Sequence, residues 1–366
     1  MNADTTVNSA TAVAPHRNTA HHAAPARGVG RRLARGLAAA CIPVLALTGC
    51  GGDEELPKAQ PAPLPSSAPA VVTDEQVDSI LGAIGDQVAK ADKARDKKAL
   101  AQRAAGPALA QRERAYKNAK KAKKGYAMPA AVASEQILRN ASSATQSWPR
   151  VTTVIASGGG QTQALVLSQE SPRDDYKLWS QTTLLAGAQI PELNDARQGS
   201  ALLDPNQSGL ALTPKKALSD YAAMLQDGQG AKGKKAKARA AEFGSDDFTK
   251  GQVKADADQA KSLKKNNAEV EYTYKAGKTL AAQATADGSA LVFGTVTKTV
   301  TTKPESKDGE TGELQLSPPY DKLTGASKTE KGFEVEIASN VVMVIPKSGK
   351  ATVIGADQLV SGAKLK

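Results

Sequence analysis

Twice along this chain of 366 residues a stretch with helical periodicity gives way to a series of strand-like segments, and that order excludes most architectures at once. In the first round, Thr73-Asp74-Glu75-Gln76 has the spacing of a capping box and precedes Val77, Ile80, Leu81, Ile84 and Val88 at helical intervals. A second helical stretch is expected over 92–104, stopped by Gly106-Pro107, and a third from Pro107 to Tyr116. β-rich segments follow at 151–156, 164–168 and 176–185, with Gly158-Gly159-Gly160 as a turn. The second round opens at Thr213-Pro214, an N-cap followed by proline in the first turn, and carries Ala217, Leu218, Tyr221, Met224 and Leu225. Another helix is expected to begin near Ser245-Asp246-Asp247-Phe248, with strands at 269–275, 279–284, 290–301, 312–316, 332–345 and 351–354. Helices segregated from strands predict an α+β fold, not an alternating α/β one. The expected organisation is two α+β domains, 71–200 and 210–366, each with N-terminal helices packed on a curved antiparallel sheet.

The segment ahead of these domains reads as an address. Arg31, Arg32 and Arg35 are followed by an uncharged apolar run from Leu37 to Leu47 and then by Thr48-Gly49-Cys50. Positive, apolar, small-residue is the order of a secretory signal peptide. At about 1.5 Å per residue so short an apolar run falls well below the ~30 Å of a hydrocarbon core. Residues 1–49 are therefore expected to be removed, and the unusually long leader before the arginines points to a translation start near Val29. From Gly51 to Ala70, five prolines among small residues read as an extended tether.

Leu47-Thr48-Gly49-Cys50 resembles the lipobox of bacterial lipoproteins. The resemblance implies cleavage between Gly49 and Cys50, acylation of the Cys50 thiol, and a chain held to the lipid bilayer on the extracytoplasmic face of the cell membrane. Several acyl chains on one cysteine anchor far more firmly than one.

Maturation at Cys50 also empties the chemical inventory. His16, His21 and His22 are the only histidines, and Cys41 is the only other cysteine; all four lie ahead of the cut. Ser-His-Asp and Cys-His catalysis need an imidazole, so both classes are excluded for the mature chain. Zinc and haem sites lean on His and Cys, so no metal and no cofactor is expected. Carboxylate chemistry, Ser-Lys chemistry, oxygen-ligated calcium or magnesium, or no chemistry remain.

Several motifs imitate known sites and fail in detail. Ala276-Gly277-Lys278-Thr279 ends like a phosphate-binding loop but has Tyr272 where that loop needs glycine, and a hairpin turn is expected there. Ser262-Leu263-Lys264-Lys265 has Ser-x-x-Lys spacing without the companion elements of penicillin-binding enzymes. The carboxylate groups Asp174-Asp175, Asp246-Asp247, Asp256 with Asp258, and Asp308-Gly309-Glu310 do not follow an EF-hand pattern. Asp246-Asp247 fits the start of a helix, where negative charge complements the dipole. Two basic runs, Lys117 to Lys124 and Lys232 to Arg239, read as a helix end or a solvated loop able to meet anionic lipid or wall polymer. Neither run has interleaved aromatics for nucleic acid, which is not an expected partner. Trp148, Trp179, Tyr176 and Tyr221 are expected in the core rather than around a cavity.

The helices-then-sheet plan resembles the cystatin-like and nuclear-transport-factor-two-like cones. The run from Trp148-Pro149-Arg150 through Tyr176-Lys177-Leu178-Trp179 to Gly187 and Pro191 is similar to uncharacterised lipoproteins of high-GC Gram-positive bacteria, a likeness that implies fold and address and no functional residue. The expected function is that of a non-catalytic cell-surface binding or interaction module whose partner is an envelope protein or an anionic wall polymer. A transporter's solute-binding lipoprotein, or a carboxylate-dependent enzyme with a cone-shaped pocket, are the alternatives.

Overall fold

The computed structural model describes residues 70–366, apart from 124, 146, 195–197, 229, 231–232, 279 and 308–309. The expected signal peptide, Cys50 and the expected tether up to residue 69 lie outside the described residues.

The first half begins with α1 (Asp74–Ala94), α2 (Lys97–Arg103) and α3 (Gly106–Ala122). Thr73 and Gln76 form the capping box the sequence predicts, each side chain bonding the other's backbone N–H. Asp96 interrupts the second expected helix by capping α2 through the amides of Lys98 and Ala99. Four antiparallel strands follow in sequential order: β1 (Gln136–Ser142), β2 (Arg150–Gly158), β3 (Gln161–Gln169) and β4 (Lys177–Thr183).

In the second half α4 (Pro214–Asp227), α5 (Lys234–Ala241) and α6 (Asp247–Lys265) precede β5 (Ala268–Ala276), β6 (Ala281–Ala284) and β7 (Ala290–Pro304). Two small hairpins come next, β8 (Ser306–Lys307) with β9 (Glu310–Thr311) and β10 (Leu314–Gln315) with β11 (Lys328–Thr329), the latter flanking α7 (Tyr320–Thr324). The long strands β12 (Phe333–Ile345) and β13 (Thr352–Leu365) complete an antiparallel sheet ordered β13-β12-β7-β5, with β6 also on β7. The fold is α+β with open antiparallel sheets.

Alternation along the strands shows how the layers stack. On sheet one, Val154, Ala156, Leu165 and Leu167 face α1–α3 and share a core with Leu81, Ile84, Val88 and Tyr116. The opposite face, Ile155, Ala164 and Val166, packs on Leu291, Phe293, Val342 and Ile354 of sheet two. The far side of sheet two, with Val292, Val296, Val341 and Met343, is covered by Leu218, Tyr221 and Leu225 of α4. The order of layers is helices, sheet, sheet, helices. β7 records the change along its length. Residues 290–294 are buried without a break, as a strand covered on both faces must be, whereas from Thr295 to Thr302 burial alternates because only one face is covered.

The two halves are joined by more than this apolar layer. Asn340 Nδ2 donates to Gln181 O at 3.1 Å, Asp357 Oδ2 accepts from Thr183 N at 2.7 Å, and Asn118 Nδ2 donates to Ser361 O at 3.0 Å. Residues 70–366 accordingly fall in one compact unit.

Two local expectations are corrected, and one strand appears where none was expected. Residues 277–280 are not a hairpin turn, because β5 and β6 both pair with the same edge of β7, Ala276 opposite Val296 and Ala281 opposite Phe293. They interrupt one edge strand, and Gly277 is required there: its N–H donates to Thr295 O at 2.7 Å, and a Cβ would lie 2.0 Å from Thr295 Oγ1. The last strand runs to Leu365 and not to Ile354, held to β12 throughout by absorbing two register shifts. β1 has no clear signal in the sequence, since Gln136, Arg139 and Asn140 break its alternation.

Candidate functional site

The described residues gather their densest chemistry beneath α6. That helix has few large apolar residues; Val253 and Ala260 pack on the core beside Leu263, and Gln252, Asp256 and Gln259 also turn inward, spaced by about one turn. Below them β7 runs Val296, Lys298, Val300, with Lys298 on the parity of the two valines, so that its ammonium-bearing chain points at the helix. Tyr274 of β5 stands directly opposite Lys298, and Tyr272 opposite Val300.

Lys298 Nζ pairs with Asp256 Oδ1, and the Tyr274 hydroxyl donates to Asp256 Oδ2. Gln252 Nε2 donates to Oδ1 at 2.9 Å. The Tyr272 hydroxyl lies 2.8 Å from Gln259 Oε1 and 3.0 Å from the Asp256 carbonyl. Both rings flank the amine, whose nitrogen is 4.7 Å from the centre of Tyr272 and 5.8 Å from that of Tyr274. Behind them Gln358 of β13 donates to Gln252 Oε1.

Water scarcely reaches this cluster: Asp256 is 1% exposed, Lys298 5%, Tyr272 6% and Tyr274 8%. Burial pulls the Lys298 amine below its ordinary value, against the opposing effect of Asp256. Both phenols are pushed far up, by burial first and then by the Asp256 charge, and keep their protons. The site is a closed amine–carboxylate pair held between two aromatic rings.

A second buried network lies in the first half. Arg112 of α3, 1% exposed, donates to Asp92 Oδ2 at 2.5 Å, to Ala130 O at 2.8 Å and to Gln181 Oε1 at 2.6 Å. Tyr116 O–H donates to Asp92 Oδ1 at 2.6 Å, and burial followed by that carboxylate raises its phenol. With Gln163, which accepts from Ala133 N at 2.9 Å, this network pins the connection between α3 and β1.

Neither network lines either of two surface grooves. One surface groove of about 440 Å³ lies between α1 and α2, lined by Asp86, Gln87, Lys90, Gln102, Arg103 and Asp175. Another, of about 420 Å³, lies beside the interruption at 277–280 and includes Lys215, Leu218 and Lys278.

The residues singled out in the sequence are scattered. Asp246 caps α6 by accepting from Thr249 N at 2.8 Å, the helix-start role expected of it. Asp175 pairs with Arg103 at 3.1 Å, and Ser262 is an exposed residue of α6. Asp256 and Asp258 part company, since Asp258 is exposed and pairs with Lys254. Tyr176 and Tyr221 are core residues; Tyr221 O–H and Thr249 Oγ1 are 2.9 Å apart, tying α4 to α6. Trp179 packs against the layer between the sheets, and Trp148 is half-buried with the Arg150 guanidinium 4.3 Å above its ring. The first basic run ends α3, and the second is the exposed helix α5. Lys124, Lys232 and Asp308 lie outside the described residues. Lys298 and Arg112 carry no motif; the inward parity of Lys298 between Val296 and Val300 was the signal for the first.

Among the described residues no group of three or more His, Cys, Asp or Glu stands ready to hold a metal ion, and no helix is long and apolar enough to cross a membrane. The model of a family described as "Domain of unknown function (DUF8094)" matches residues 68–364. The chain belongs to that family. The DUF8094 match starts at the end of the proline-rich stretch and spans both halves without a break, in keeping with their shared inter-sheet core. No curated protein and no solved structure matches the chain.

Proposed function

We propose that this protein is a non-catalytic lipoprotein, anchored through Cys50 on the extracytoplasmic face of the cell membrane, that works by presenting its folded part to an anionic polymer of the envelope. The observation that carries the non-catalytic reading is the closure of the Asp256–Lys298 cluster. Among the described residues, the amine, carboxylate and two phenols that converge beneath α6 are sealed there, each member less than a tenth exposed. A reaction on an external substrate needs reach as well as chemistry.

The outer surface supplies the binding argument. α5 carries Lys234, Lys235, Lys237 and Arg239 in eight residues, buries none of its side chains, and among the described residues has a single ion pair, Arg239 with Asp227. Three lysines on a helix's first turns oppose its dipole, so an anionic partner stabilises the helix that binds it.

Two measurements test this. Metabolic labelling with a palmitate analogue is expected to mark the wild-type protein and to leave Cys50→Ala unlabelled and released from the membrane fraction; label retained by that variant overturns the anchor. The detergent-solubilised protein is expected to sediment with isolated cell wall in a salt-sensitive manner, and the quadruple change of Lys234, Lys235, Lys237 and Arg239 to Gln is expected to abolish it. Equal sedimentation of both overturns the choice of partner.

A further inference from the structure

The Asp256–Lys298 pair does not need a substrate from outside, because it contains a nucleophile and an electrophile of its own. We infer that Lys298 and Asp256 condense into an intramolecular amide, a covalent bolt between α6 and the middle of sheet two.

Four features of the pair favour condensation over a permanent ion pair. The amine and the carboxyl touch through Lys298 Nζ and Asp256 Oδ1, with no third group between them. Both are buried, Asp256 at 1% and Lys298 at 5% exposure, so that bulk water hardly competes with either group for the other. The depression of the Lys298 amine by burial acts in the same direction, because only the unprotonated nitrogen has a lone pair to give. Finally, the rings of Tyr272 and Tyr274 keep bulk water away from the nitrogen, which restrains the reverse hydrolysis.

The surrounding donors are placed for the step. Lys298 Nζ attacks Asp256 Cγ, and the developing negative charge gathers on Oδ2, where the Tyr274 O–H already donates. Oδ1 is the oxygen in contact with the amine and with Gln252 Nε2 at 2.9 Å, and it is the one that departs. The N–C bond forms, the C–Oδ1 bond breaks, and the hydroxyl leaves with one proton from the amine as water. The product amide retains Oδ2 as its carbonyl and Tyr274 as that carbonyl's donor. Positioning by the fold replaces an external activating agent.

The test is peptide mapping of the whole protein, purified in detergent, after complete tryptic digestion. A free Lys298 is cut, releasing 279–298 and 299–307, with 255–261 as a separate linear peptide. An amide at Lys298 blocks that cut and joins 255–261 to 279–307 in one branched peptide, lighter by one water than its two parts. The branched peptide is the expected result, with the linear peptides 279–298 and 299–307 lost from the digest. Recovery of those linear peptides, with no branched species, overturns the inference. Asp256→Asn gives a second reading on the same pair. Condensation there releases ammonia, so its branched peptide has the wild-type mass although the uncondensed chain differs. Lys298→Arg must show no branch, and a branch persisting in that variant would place the bond elsewhere and sink the assignment.

Discussion

Truncating Phe293 asks whether the two halves are one folding unit. Phe293 is 1% exposed and lies in the layer between the sheets, with Ile155, Ala164 and Val166 of the first half across from it. Replacing a buried phenylalanine by alanine removes the transfer energy of the ring and leaves a cavity, about 3–5 kcal/mol in total. In a unit of this size each kcal/mol lowers the melting temperature by about 2 °C, so Phe293→Ala is expected to melt ~6–10 °C below wild type. The chain reports on itself conveniently, because both tryptophans, Trp148 and Trp179, lie in the first half while the substitution is in the second. Thermal unfolding followed by tryptophan fluorescence and by far-ultraviolet circular dichroism should shift together and by the same amount. If the fluorescence transition stays at its wild-type temperature while the dichroism splits into two steps, the halves melt independently and the shared core does not couple them.

Other parts of the structure give sharper local expectations. Arg112→Met should cost about 3–5 kcal/mol in a denaturant titration, because it strands Asp92 and Gln181; Arg112→Lys should recover little, since one ammonium cannot reproduce three bonds from one planar fork. A Cβ on Gly294 would lie 2.6 Å from Leu218 Cδ2, so Gly294→Ala should lower the unfolding free energy by an amount typical of overpacking, about 1–3 kcal/mol, and Leu218→Ala should relieve that strain in the double variant. Burial raises the Asp357 carboxyl above its ordinary value of 3.8, so the folded chain holds that proton longer than the unfolded one. The stability it contributes is full below the unfolded value and is lost as pH rises through the folded one; Asp357→Asn should flatten the fall of midpoint with pH in that window.

The sequence is most legible where one physical force decides. Val77, Leu81, Ile84 and Val88 announce α1 because burial of one face has to recur every three to four residues. The run Ala290 to Phe293 likewise reads as a buried strand, and its unbroken apolarity is what a strand between two other layers requires. Legibility ends where tertiary partners choose among local options. A strand continuing past Ile354 through Gly355 and Gly362 has poor propensity, and β12 overrides it by pairing along its whole length. Asp256 and Asp258 look equivalent as neighbours in a helix, yet 100° of rotation per residue sends one under the helix and the other into solvent. Even that was within reach, since an inward lysine at Val296-x-Lys298-x-Val300 demands an acid from whatever covers the strand.

The polar underside of α6 also explains why this half needs the Asp256 cluster at all. A helix whose fully buried residues are Gln252, Asp256 and Leu263, with Val253 and Ala260 partly buried beside them, offers modest apolar area for attachment, and apolar contact by itself is indifferent to small rotations and slides. Hydrogen bonds have direction and length, and Asp256 makes its bonds to β7 through Lys298, to β5 through Tyr274 and along its own helix to Gln252. These partners are met together only at one height and one rotation of α6 over the sheet. Tyr272 fixes the next turn through Gln259, and Gln358 carries the same register across to β13. Position over the sheet is therefore set by a few oriented bonds rather than by surface area, and a covalent link at their centre would make that setting permanent.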